Sequence, residues 1–144
     1  MASGDILDYD FMVVAAGVVL DFGSIKGLEE IGEAYTNGDA SKILKVFGNS
    51  GITSVYNIDS AEDMWKQTQT FIERAKSGEK LKAIFTAPNT AVKCGGAPKK
   101  VVYLVNSRLN EANARANVDL TYYDNSDKLF SVKEYADAIE KQFI

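Results

Sequence analysis

The sequence predicts an α+β domain. The expected architecture is a mixed or mostly antiparallel sheet of about five strands with amphipathic helices packed on it, in the order β-α-α-β-α-β-β-β-α. Three observations carry this. Several runs of strand length are apolar or alternate in polarity, two stretches place apolar residues at helical spacing, and no regular β-α repeat is visible.

Taken in order, Met1–Asp10 is polar and irregular. Phe11–Phe22 is rich in Val and Ala and reads as a strand buried on both faces, bent at Gly17. Lys26–Tyr35 spaces Leu28, Ile31 and Tyr35 on one helical face, and Asn37-Gly38 ends it. Asp39 caps a second helix carrying Ile43, Leu44 and Phe47, which Gly48 stops. Ile52–Ile58 alternates as a strand. Ser60 opens the clearest helix, with Asp63 three residues on as a variant capping box and Met64, Trp65, Thr68, Phe71, Ile72 and Ala75 at helical spacing; Gly78 ends it.

Leu81–Ala87 then reads as a strand, 88–98 as a loop, and Lys99–Asn106 as a further strand. Asn106–Ala116 is a polar, asparagine-rich connection. Val118–Tyr123 alternates strictly, and Asp124–Asp127 is a turn. Ser131 and Glu134 form a capping box for a last helix with Tyr135, Ala138, Ile139 and Phe143 on one face. Trp65, Phe71, Phe85, Tyr103, Tyr122 and Phe143 are expected in the core. The 144 residues fit a single domain, 1–144, with 46% apolar and 25% charged residues.

The chain has no histidine and one cysteine. The first fact removes Ser-His-Asp and Cys-His catalysis within the chain, and with them the commonest metal ligand. The second removes an internal disulfide and any multi-cysteine zinc site. The acids at Asp5, Asp8 and Asp10, or at Asp124 and Asp127, do not match a calcium loop. No catalytic residue, metal or cofactor is expected, and the balance leans away from an enzyme. The ten-residue run Phe11–Leu20 is about half of a bilayer span and follows aspartates, so neither a transmembrane segment nor a signal peptide is expected. The setting expected is cytoplasm or a virion.

Charge is unevenly placed. Between Lys80 and Asn110 stand six cations and no acid, in a chain of net charge -4. Residues 1–63 carry a local excess of acids. The interface or anion-contact candidates are Lys82, Lys93, Cys94, Gly95, Gly96, Lys99, Lys100, Arg108 and Arg115. Gly95-Gly96 could turn backbone N–H groups toward an anion, but no phosphate-loop spacing is present. Cys94 beside Lys93 could act as a nucleophile, although packing is the commoner role of a lone thiol. Nucleic acid is disfavoured by the acidic balance.

These features give the expected function: a non-catalytic, self-associating subunit of an assembly, such as a virion or phage-tail-like component. Its partner would be a copy of itself or another acidic protein surface, met without membrane or nucleic acid. The alternatives are a small-molecule or anion-binding domain or small enzyme with its site near loop 88–98, and an inhibitor or adaptor docking on an acidic partner.

Overall fold

The computed structural model describes residues 3–47, 50–58 and 60–142. A short 3-10 turn at Phe22–Ser24 precedes α1 (Glu29–Thr36) and α2 (Ala40–Phe47). Then come α3 (Ala61–Lys76), β1 (Leu81–Thr86), α4 (Ala97–Glu111), a second 3-10 turn at Arg115–Asn117, β2 (Val118–Tyr123) and α5 (Lys133–Glu140). The described residues therefore hold five helices and one sheet of two parallel strands, with Leu81 opposite Val118 and Thr86 opposite Tyr123. The expected five-stranded, mostly antiparallel sheet is corrected by this arrangement.

Three expected strands account for the difference. Lys99–Asn106 lies within α4, whose buried face is Val102, Val105 and Leu109. That i, i+3, i+7 spacing continues into the stretch expected to be a polar connection, so one long helix replaces a strand and a loop. Ile52–Ile58 is irregular. Phe11–Leu20 forms no regular element, and its side chains face solvent: Phe11 is 93% exposed and Val13 90%. An apolar run becomes a strand only where another strand pairs with it, and none of the described residues does so.

Two apolar clusters hold the rest. Ile31, Ala34, Ile43 and Phe47 join α1 to α2, with Phe22, Leu28, Tyr35 and Val46 around them. The rings of Phe22 and Phe47 meet edge-on at 5.1 Å. Glycine is required at position 32, because a Cβ there would collide with the backbone of Gly23. The second cluster, Ile72, Ala75, Val105, Leu109, Ala114 and Val118, packs α3 and α4 on one face of the parallel pair, with Leu81, Phe85 and Leu120 contributed by the strands. Gln67 bridges the two clusters. Its side-chain amide donates to the Phe47 carbonyl, and its oxygen accepts from Gly51 N–H at 3.1 Å.

Helix ends follow the sequence only in part. Asp39 accepts from Lys42 N–H at 3.2 Å, as a cap should, and Gly78 adopts φ +98° after α3. Ser60 instead donates to the Asn57 carbonyl at 3.4 Å and makes no side-chain cap, and α5 begins after Val132 with no cap from Ser131. Trp65 is half exposed, so it is not the core residue its spacing predicts. The expected roles of Gly48 and Phe143 lie outside the described residues.

Leu109 is fully buried between α3 and the strands. Leu109→Ala is expected to destabilise the chain by about 3 kcal/mol in urea unfolding. Val13→Lys is expected to change stability by no more than about 0.5 kcal/mol, because the side chain it replaces is almost fully exposed. A large loss from Val13→Lys would show that the run is folded onto the domain.

Candidate functional site

The two strands are parallel, so the chain leaves β1 and enters α4 at the same end of the sheet at which it leaves β2. The segments 87–96 and 124–132 meet there. Ala87 N–H donates to the Tyr123 carbonyl at 3.0 Å, and the Asn125 amide donates to Asn89 Oδ1 at 2.7 Å. The carboxyl ends of parallel strands are where open α/β units hold ligands.

Cys94 is at this end, and its thiol is free and exposed. Its backbone is held firmly. The Cys94 carbonyl accepts from Ala97 N–H at 3.1 Å and from the Tyr56 hydroxyl at 3.4 Å. Burial, and then the nearness of the Cys94 sulfur, push the Tyr56 phenol above its ordinary pKa. Beside Gly96, the Cys94 Sγ, the Lys100 side chain and the Phe130 ring edge converge on one point, at 3.9, 3.9 and 3.8 Å from the place a Cβ would occupy. The thiol, an aliphatic stem carrying an ammonium, and an aromatic edge thus share a small volume before the first turn of α4.

Beneath the turn lies the one buried ion pair among the described residues. Lys99 Nζ is 2.8 Å from Asp124 Oδ2 and donates to the Tyr122 hydroxyl oxygen at 3.2 Å. It also donates to the Gly95 carbonyl at 3.4 Å. The Tyr122 hydroxyl donates in turn to Asp124 Oδ2 at 3.1 Å, and Ser126 N–H donates to the other carboxylate oxygen. Burial works to lower the Lys99 pKa, but the bonds to Asp124 and Tyr122 outweigh it and hold the ammonium above its ordinary value. Burial likewise works to raise Asp124, and the Lys99 ammonium with Ser126 N–H overrides it, leaving the carboxyl below its ordinary value.

The remaining candidates are dispersed. Lys82 pairs with Asp119 across the strands at 3.6 Å, and Arg108 pairs with Glu111 along α4 at 3.0 Å. Arg115 donates to Asn106 Oδ1 at 2.6 Å and to the Val118 carbonyl, securing the entry to β2. Lys80 bonds Asn117 and the Ala116 carbonyl. Lys93 and Lys100 make no ion pair among the described residues. The structure therefore gathers Lys93, Cys94, Gly95, Gly96, Lys99 and Lys100, and leaves Lys82, Arg108 and Arg115 as local braces. Sequence reasoning missed Tyr56 and Phe130 as neighbours of the cysteine turn, and Tyr122 and Asp124 as partners of Lys99. In the sequence Asp124 reads as part of a turn that does not fit a calcium loop and Tyr122 as a core aromatic, and neither signals a contact with Lys99. Among the described residues no group of three or more His, Cys, Asp or Glu is placed to hold a metal ion.

The site is thus an exposed thiol at the crossover end of a parallel β-α-β unit. No family model matches the chain. It is similar to proteins named mitochondrial sulfide:quinone oxidoreductase. The identity is 34% over 140 residues with that of Schizosaccharomyces pombe, 36% over 138 with that of Dictyostelium discoideum and 34% over 139 with that of Mus musculus. The matches cover 96–97% of this chain and 26% of each relative. The chain thus spans about a quarter of the length of the curated relatives it matches. This likeness overturns the expectation of a non-catalytic structural subunit of a virion or tail, because the relatives are enzymes. The expected cytoplasmic or virion setting gains no support from relatives named mitochondrial. No helix among the described residues is long and apolar enough to cross a membrane.

The Lys99–Asp124 pair sets a pH window. Asp124 is lowered on folding, so its contribution is full above the ordinary carboxylate pKa and is lost as pH falls below about 4. Lys99 is raised, so its contribution is full below about pH 10 and lost as pH rises through the raised value. Asp124→Asn is expected to cost about 2 kcal/mol near pH 7. It should also flatten the acid limb of a stability profile below about pH 4. Parallel acid limbs for the two proteins would show that the pair is not intact in solution.

Proposed function

We propose that this chain is the sulfur-accepting part of an oxidoreductase of the sulfide:quinone type, with Cys94 as the residue that bonds the incoming sulfur. The observation that carries this reading is the placement of the chain's one thiol. It is exposed at the end of the parallel pair where the strands' carboxyl ends lie, in a chain similar over nearly all its length to enzymes named for sulfide and quinone. No other side chain in the sequence can form a bond to sulfide sulfur and release it again. In the net step, hydrosulfide and the Cys94 thiol join as a persulfide while two electrons and two protons reduce a quinone to its hydroquinone. The chemistry balances when one further proton comes from solvent. Lys93, Lys100 and the N-terminal end of α4 favour the approach of an anion such as hydrosulfide. A mitochondrial setting is proposed on the strength of the relatives' names.

The same reading accounts for Phe11–Leu20. We propose that the run is covered by a protein surface that corresponds to a part of the relatives which this chain does not match. Phe11, Val13, Val14 and Val19 are available for that contact, since each is at least 80% exposed.

The test is mass spectrometry of the chain after incubation with sulfide and a soluble quinone. Cys94 is expected to gain the mass of one sulfur atom faster than it does in the same chain unfolded in urea, and Cys94→Ser is expected to gain none. Equal rates for the folded and unfolded chain would remove the proposal that the fold prepares this thiol.

A further inference from the structure

Lys99 occupies a doubly unfavourable place. It is the third residue of α4, where the helix presents its positive end, and the first turn of that helix contains no acid. It is also only 7% exposed. A residue chosen for stability alone would be apolar here, since buried ion pairs seldom outperform packed hydrocarbon. What Lys99 gains is geometry. One ammonium reaches Asp124 and Tyr122, at the end of β2, and the carbonyl of Gly95, the residue that follows Cys94. The ammonium also lies over the Tyr122 ring, 5.2 Å from its centre. Its donors therefore tie the turn that carries the thiol to the far strand of the sheet. The Tyr56 hydroxyl grips the same turn through the Cys94 carbonyl.

We propose that Lys99 is a positioning residue. It clamps the Cys94–Gly96 turn to the end of β2 and holds the sulfur in one place for reaction. The inference rests on the reading of Cys94 as the sulfur acceptor, but the clamp can be measured without it. The native turn protects the amides of Ala97 and Lys100, which donate to the carbonyls of Cys94 and Gly96. Hydrogen exchange at these two amides reports on the clamp. Exchange at Ile72 and Ala75 in α3 reports on the core.

The experiment compares the full chain with Lys99→Met, Lys99→Arg and Asp124→Asn, well below their melting temperatures. In Lys99→Met, the amides of Ala97 and Lys100 are expected to exchange about tenfold faster relative to those of α3, beyond any acceleration that the two share. Sulfur uptake at Cys94 from sulfide and quinone is expected to slow severalfold in parallel. Lys99→Arg, which keeps the charge and several donors, is expected to recover most of both effects. Asp124→Asn leaves Lys99 in place but cuts its tie to β2, and is expected to loosen the same two amides even where Lys99→Met fails to fold. Unchanged exchange at Ala97 and Lys100 in both Lys99→Met and Asp124→Asn would overturn the proposal. So would faster exchange spread evenly over the turn and α3, the signature of a purely structural role. If the wild-type chain takes up no sulfur, the functional reading of Cys94 fails, while the exchange data still decide whether Lys99 is the clamp.

Discussion

Parallel pairing of β1 with β2 is the constraint from which the rest of the molecule follows. Parallel strands cannot be joined by a tight turn. The chain must leave the end of β1, travel back along the sheet and begin β2 at the opposite end. The segment 87–96 and α4 make that return. Two strands alone would be marginal in water, and α3 and α4 supply the apolar cover through Ile72, Ala75, Val105 and Leu109. The same geometry forces the exit of β1, the start of α4 and the exit of β2 to one end. Lys99 and Asp124 lie 25 residues apart in sequence, yet they meet because the topology brings the start of α4 and the exit of β2 to that end.

Charge shows how folding rewrites a sequence count. Six cations without an acid look like a basic patch when read along the chain. In the structure Lys82 faces Asp119, Arg108 faces Glu111, and Lys99 is enclosed with Asp124. The compensating acids all lie beyond the window, on β2, at the end of α4 and in the turn after β2. Most of the apparent patch is thus satisfied within the chain, and the cations left to act on an anion, Lys93 and Lys100, flank the thiol turn. The exposed pairs contribute little to stability, since solvent screens them. The Lys99 pair matters more because it is partly removed from water.

The sequence was a sound guide where an element depends on its own residues and a poor one where it depends on partners. The periodicity of α3, the capping aspartate of α2 and the alternation of Leu81–Thr86 and Val118–Tyr123 are local signals, and the structure has elements at each. Val101–Val105 is a continuous apolar run, which reads equally as a strand or as part of a buried helix. Pro98 at its start and Leu109 beyond it are the residues that decide for the helix. The cysteine turn was visible as a loop with glycines. Its neighbours were not, because Tyr56 and Phe130 approach it only through tertiary packing. Direction of pairing was the least legible feature: alternation fixes which face of a strand is buried but says nothing about whether its neighbour runs parallel.

Phe11–Leu20 joins these strands of argument. Its composition is that of an interior strand, yet its side chains lie in water, and an exposed contiguous apolar run of this kind is suited to contact with another surface. Aspartates stand on both sides of it, at Asp5, Asp8, Asp10 and Asp21. Such flanking charges discourage indiscriminate pairing of an exposed apolar strand while leaving a matched partner free to cover it. The run and the thiol turn then have complementary needs in the proposed reading. One is an apolar strip that wants a surface, and the other a reactive group that wants a closed, water-poor site around it. A larger polypeptide docked along the strip would supply the first directly.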